Sequence, residues 1–338
     1  MHMADALISP LVGGAMYAAT AGVAAYSIKK VQTDSEDKII PLMGVVGAFV
    51  FASQMINFSI PGTGSSGHLG GGMLLAILLG PSAGFLTMMS ILFIQALFFG
   101  DGGLLALGCN VINLGFYTCF IAYPLIYKKI VRSGFTAKKL FWASVISSVV
   151  ALQMGAFSVV MQTVLSGKTE LPFSTFTLLM QPIHLAIGLI EGFVTAAVVT
   201  FVCKSRPEIL SFHTTHEEKG RLSRRSVLAI ILVVALLGAG VISLFASTNP
   251  DGLEWALEKT TGTAELEANG TIYHKLAHLQ SNTAFLPDYD FSEDTSLSAL
   301  GDYGTTVAGI VGIALTCVMS IALGYFVRLR KSKSAKAV

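Results

Sequence analysis

The sequence predicts an all-α polytopic membrane protein: a helical bundle of about seven spans, followed by a two-span carboxyl-terminal module with an extracytoplasmic insert. Three observations lead there. Of the 338 residues, 53% are hydrophobic and 12% charged, whereas soluble domains run near one quarter charged. Apolar stretches close to the about 20 residues that a membrane helix needs recur along the chain. Glycine occurs 34 times, the small-residue content that lets helices pack backbone to backbone in lipid.

The stretches are 7–28, 39–58, a short 69–79, 83–99, 104–127, 140–165, 176–203, 227–247 and 305–327. The first reads as an uncleaved helix, because its only early charge is Asp5 and the first basic residues, Lys29 and Lys30, follow the apolar run instead of preceding it. The short piece reads either as a tilted helix or as part of a re-entrant element. Segments 29–38, 128–139, 204–225 and the tail from Arg328 hold 19 of the 22 Lys and Arg residues, and the positive-inside rule puts them in the cytoplasm. If 69–79 also crosses, nine crossings leave the amino terminus outside and the carboxyl terminus inside. The chain start, the loops 59–68, 100–103 and 166–175, and the insert then share the outer side.

The organisation that follows is a bundle over 1–203, a cytoplasmic linker over 204–225, a two-helix module over 226–330 and a basic tail over 331–338. The module's insert, 248–303, holds ten of the chain's 20 carboxylates against Lys259 and Lys275, a charge balance that concentrates cations locally without forming a site by itself. The four cysteines, Cys109, Cys119, Cys203 and Cys317, lie in apolar stretches with no CxxC spacing and read as small packing residues.

Two nucleotide motifs are decoys. "GTGSSG" at 62–67 matches G-x-G-x-x-G but lacks the flanking strand, helix and distal acid of a dinucleotide site. "SGKT" at 166–169 ends like a phosphate loop, yet Gln162 stands where the first glycine is required. The chain therefore has no ATPase motif of its own.

The glycine-rich run 62–72 carries His68 to the outer mouth of the bundle. His2 lies on the same side. A terminal amine, the deprotonated amide nitrogen of residue 2 and the His2 ring form fused chelate rings on one metal, and a fourth imidazole completes a square, a geometry that favours Ni(II) or Cu(II) over tetrahedral Zn(II). His68 is the external histidine best placed to be that fourth ligand. The alternatives stay open: His2 as an interfacial polar residue, His68 as a packing residue. Gln95, Asn110 and Asn113 flank the turn "FGDGGLLALG" and either orient a ligand or join helices. Glu191 is the only charge deep in a span, with His184 about two turns before it on the same face; an ion-pathway role and a structural hydrogen bond both fit. His274 and His278, spaced i, i+4, lack a third ligand and read as a solvated helix face.

"MHMADALISP" at the terminus, "GTGSSGHLGGGMLLAILLGP" at 62–81, "IQALFFGDGGLLALGCNVINLG" at 94–115 and "HLAIGLIEG" at 184–192 together resemble the NikM/CbiM family, the substrate-binding (S) components of energy-coupling-factor transporters for nickel and cobalt. Cobalt members tend to open "MHIPDG"; Met3, Ala4 and Ala6 place this chain nearer the nickel branch. "NPDGLEWALEK" at 249–259 and "FLPDYDF" at 285–291 are similar to the NikN-type accessory module. The resemblance implies metal ligands at Met1 through its amine, His2 through its amide nitrogen and ring, and His68 through its ring. It also implies Ni(II), alternatively Co(II), as transported substrate, with no catalytic cofactor. Expected partners are a membrane coupling (T) component and two cytoplasmic ABC-type ATPases, with no nucleic acid, in the cell membrane of a prokaryote. Two other classes compete: a proton-driven metal transporter using Glu191, and a metalloenzyme using His68, His184 and Glu191, for which no HExxH is present.

Overall fold

The computed structural model describes residues 2–34, 38–168, 171–210, 221–264, 266, 268–291 and 303–335. The apolar stretches are helical: α1 (Pro10–Asp34), α2 (Ile39–Gln54), α3 (Gly72–Leu79), α4 (Pro81–Ile94, extended by a wide π turn over Gln95–Phe99), α5 (Leu107–Val131), α6 (Ala137–Ser166), α7 (Phe173–Ser205), α8 (Arg224–Gly240) and α11 (Tyr303–Ala335). Two further helices, α9 (Gly252–Thr261) and α10 (Thr271–Thr283), lie in the acidic insert. Among the described residues, seven helices are long and apolar enough to cross a membrane: α1, α4, α5, α6 and α7, then α8 and α11 of the second part. Large apolar side chains on these helices, Leu11, Leu178 and Tyr325 among them, point outward, while Gln95, Asn110, Asn113, His184 and Glu191 are buried inside. That inside-out distribution suits a lipid solvent.

Two stretches depart from their sequence reading. The run 39–58 is helical only to Gln54, because Phe58–Ile60 (β1) pairs antiparallel with Ser65–Gly67 (β2), Ile60 opposite Ser65, in a short ribbon. The piece 69–79 resolves to the eight-residue α3, about 12 Å long against a hydrocarbon core of about 30 Å. It is too short to cross as a straight span by itself, and α4 follows it directly after Gly80. Gly80, at φ 80°, turns the chain so sharply that a Cβ on Gly84 would stand 3.0 Å from the Leu75 backbone, a contact that nine residues of continuous helix forbid.

Contacts sort the connections into two ends. At one end Ser247 donates to the Asn57 carbonyl (2.8 Å), Gln280 to the carbonyls of Ala96 and Gly102 (2.8 Å each), and Lys168 sits over the Tyr273 ring (5.3 Å). At the other, Gln32 donates to the Val327 carbonyl (2.8 Å), Arg224 to that of Lys38, and Leu222 to that of Ser205 (3.3 Å). The described residues flanking the basic connections 29–38 and 204–225 and the start of the tail thus share one end, and the glycine-rich loops and the described part of the insert share the opposite one. Within the bundle, α6 and α7 run in backbone contact: a Cβ on Gly192 would meet the Val145 Cα at 2.5 Å, and one on Gly188 the Val149 Cα at 3.0 Å.

The motif "NPDGLEW" has a residue-by-residue reason. The carbonyls of Asn249 and Pro250 accept from the Ser66 hydroxyl and amide of the ribbon (2.8 Å each). Asp251 caps α9, accepting from Leu253 and Glu254 amides (2.7 and 2.9 Å), and Glu254 closes the capping box on the Asp251 amide (2.9 Å). Gly252 lies so close to α7 that a Cβ would meet Ile183 Cγ2 at 2.5 Å. Leu253 is buried, and the Trp255 indole donates to the Thr63 carbonyl (3.0 Å). Residues 211–220 of the linker, 336–338 of the tail and five insert carboxylates (Glu265, Glu267, Glu293, Asp294, Asp302) lie outside the described residues.

Candidate metal centre

The residues ahead of α1 fold back into the bundle. Met3 is fully buried and its peptide is clasped from two sides: the Met3 amide donates to Asn110 Oδ1 (2.8 Å), while Asn110 Nδ2 (3.3 Å) and the Gly103 amide (2.9 Å) donate to its carbonyl. Two steps on, Asp5 Oδ1 accepts from the Ala106 amide (3.0 Å). Asn113 stands one step behind, 3.6 Å from Met3 Sδ, and exchanges two hydrogen bonds with Gln162 (2.8 and 3.0 Å). The outer surface of this plug is held by the insert, where the Tyr273 hydroxyl donates to the Ile8 carbonyl (2.8 Å).

This clasp delivers His2 onto His68. Their rings stack with centroids 5.1 Å apart and planes inclined by 21°. His2 Nε2 lies 3.2 Å from Gln95 Oε1, and Nδ1 lies 3.3 Å from Asp101 Oδ1. His68 Nδ1 lies 3.2 Å from the Leu69 carbonyl, an acceptor only, so Nδ1 carries the proton and Nε2 the lone pair. Burial pushes both imidazoles down to about 3, so both are neutral near pH 7, the form that binds metal. Burial raises the Asp101 carboxyl; its Oδ2 accepts from the Tyr289 hydroxyl at 2.6 Å.

Beside His68 is a cavity of about 10 Å³, room for one water-sized occupant, lined also by His184, Asp251 and Gly252. His184 Nδ1 donates to the Met180 carbonyl (2.7 Å), and its Nε2 has no hydrogen-bond partner. Glu191 Oε2 accepts from the Gly70 amide (2.7 Å), tying α7 to the segment that carries His68.

The predicted residues therefore converge in part. His2, His68, Gln95 and Asn110 meet at one point, Asn113 backs the plug, His184 lies across the cavity, and Glu191 stands behind Gly70; Met1 lies outside the described residues. His274 and His278 are exposed on α10, where His278 meets Asn282 (3.0 Å). Among the described residues, no three His, Cys, Asp or Glu side chains gather into a metal cluster. His68, His184 and Glu191 accordingly do not assemble the ligand set of a metalloenzyme, and a metal held between His2 and His68 needs backbone nitrogen as well. Sequence reasoning did not single out Gln54, Asp101, Tyr273, Gln280 or Tyr289, whose partners are far away in the chain; a polar residue closing an apolar run, as Gln54 does, is the one local signal.

Known proteins resemble the chain in two parts. Residues 2–209 match the profile of the cobalt-uptake substrate-specific transmembrane region, CbiM, and 225–329 that of the PDGLE domain. A putative fused nickel transport protein NikMN of Archaeoglobus fulgidus is 33% identical over 97% of this chain and 99% of its own. A cobalt transport protein CbiM of Sorangium cellulosum is 30% identical over 62% of this chain and 94% of its own. A crystal structure of a truncated transition metal transporter, 31% identical, superposes with a TM-score of 0.53 over 60% of this chain and 98% of its own.

Proposed function

The chain belongs to the CbiM family of cobalt-uptake substrate-specific transmembrane proteins and carries a PDGLE domain, and from that premise we propose that it captures Ni(II) for an ATP-driven importer. As a metal transport component of this family it is a membrane carrier of its ion, not an enzyme acting on it. The proposed site is a plane of four nitrogens: the Met1 amine, the His2 amide and Nδ1, and His68 Nε2. The observation that carries it is the stacked pair of His2 and His68, with buried rings, held by a plug whose next peptide is clasped by Asn110 and Gly103. A strong-field square of nitrogens suits Ni(II). Co(II) is the alternative cargo, since relatives named for cobalt share the bundle.

In this reading the amino terminus faces outside and docks with the ion, and the linker and tail face the cytoplasm. Release follows when reorientation of the bundle against a membrane coupling component, driven by two ABC-type ATPases, separates His68 from the plug. Because protons compete at every nitrogen, and the amide must lose one to bind, loading releases protons and unloading takes them up. A proton-driven exchanger built on Glu191 has less support, because that carboxylate is engaged by the Gly70 amide. The test is nickel accumulation in cells that express the chain with the coupling component and ATPases. His2→Ala, His68→Ala and a chain extended by one residue before Met1 are each expected to reduce uptake to background. Uptake by the extended chain at the unmodified rate overturns the terminal amine as a ligand.

A further inference from the structure

The buried amides around His2 form a chain with one possible direction. Its far end is the Gly70 carbonyl, which only accepts. Gln54 Nε2 donates to it (2.8 Å), so Gln54 Oε1 is the atom that accepts from Gln95 Nε2 (2.9 Å), and Gln95 Oε1 is the atom left facing His2 Nε2 (3.2 Å). Carboxamide oxygen and nitrogen are told apart by their partners, and here one obligate acceptor orders both side chains. Gly70 is itself fixed from its other side, its amide donating to Glu191 Oε2 (2.7 Å). Gln54 and Gln95 are both buried, where an oxygen set against an imidazole lone pair would be costly.

An oxygen cannot donate, so the Gln95 contact is a hydrogen bond only when His2 Nε2 bears the ring proton. A neutral imidazole has one ring N–H. Two acceptors compete for that proton, Gln95 Oε1 at Nε2 (3.2 Å) and Asp101 Oδ1 at Nδ1 (3.3 Å); where Gln95 holds it, Nδ1 carries the lone pair, and Nδ1 is the nitrogen that closes a six-membered ring on a metal with the residue's own amide, whereas Nε2 points away from the backbone and cannot. We propose that Gln54 and Gln95 are positioning residues that select the His2 tautomer presenting Nδ1 for capture, with the Gly70 peptide and Glu191 as their anchor. The relay starts in the segment that carries His68, so whatever displaces that segment also unsets His2. The inference rests on the four-nitrogen reading and assigns a task to Glu191 and Gln54 that this reading leaves empty.

The test uses the full chain. In the metal-free protein labelled with ¹⁵N-histidine, the His2 resonances, assigned by their absence in His2→Ala, are expected to show an unprotonated Nδ1 and a protonated Nε2. Gln95→Met, which keeps the volume and removes the acceptor, is expected to lose the tautomer preference and to weaken nickel binding about tenfold to a hundredfold, the usual cost of removing a group behind a metal ligand. Gln54→Met weakens it less, because Gln95 still reaches His2. If Gln95→Met does not fold, the tautomer of the unaltered protein decides. An Nδ1-protonated His2, or a Gln95→Met chain of unchanged affinity, overturns the relay while a square-planar nickel spectrum of the unaltered chain keeps the four-nitrogen reading standing. A nickel complex of another geometry overturns that reading, and the relay with it.

Discussion

His2 and His68 are neutral because they are buried, and that has a sign. Each ring titrates near 3 when docked and near 6.5 when the plug is released. Between those values the released state binds more protons, so docking is fully favoured above about 6.5 and weakens as the pH falls, by about 1.4 kcal/mol per unit for each ring. A nitroxide at Ala4→Cys, an exposed plug position, is expected to be immobile at pH 7.5 and to gain a mobile component on acidification below 6.5. A spectrum unchanged to pH 5 contradicts the docked, neutral rings. At this scale the sequence was informative where chemistry is carried by residue type: His2 and His68 are identifiable because few side chains bind transition metals. Asp101 and Tyr289 were not, since their hydrogen bond joins residues 188 apart and neither is unusual locally.

Among the elements, the first inserted helix, α9, depends on one glycine for its seat on α7. Gly252 lets α9 lie on Ile183 and His184 of α7, and α9 in turn holds the ribbon through Trp255 and Thr63. Gly252→Ala overpacks this contact at a cost of about 1–3 kcal/mol, roughly fivefold to a hundredfold in the undocked population. Limited trypsinolysis at Lys259 and Lys275 is expected to speed up accordingly; unchanged cleavage means that the insert is held elsewhere. Long helices were readable from hydropathy, because a span must satisfy its backbone internally and be apolar throughout. The short piece 69–79 was legible too, since α3 covers Gly72–Leu79; the ribbon was not, because a short glycine-rich connection carries no period that tells a strand pair from a loop.

For the molecule as a whole, the arrangement joins two parts around one point. The first part supplies the bundle, His68 and the plug; the second lays Tyr273, Gln280 and Tyr289 over the plug and its neighbouring turn. The charge pattern that sorted loops into two sets agrees with the contacts that gather them at two ends, because basic residues flank the same helix ends that pack together. The central claim is that this fold uses its own amino terminus, with His2 and His68, as a square of four nitrogens for nickel. The most direct measurement is the absorption spectrum and magnetic moment of the full chain loaded with one equivalent of Ni(II), with nothing added before Met1. The account predicts a yellow, diamagnetic, square-planar complex that is absent from His2→Ala; a paramagnetic octahedral complex, or an unaltered spectrum in His2→Ala, contradicts it.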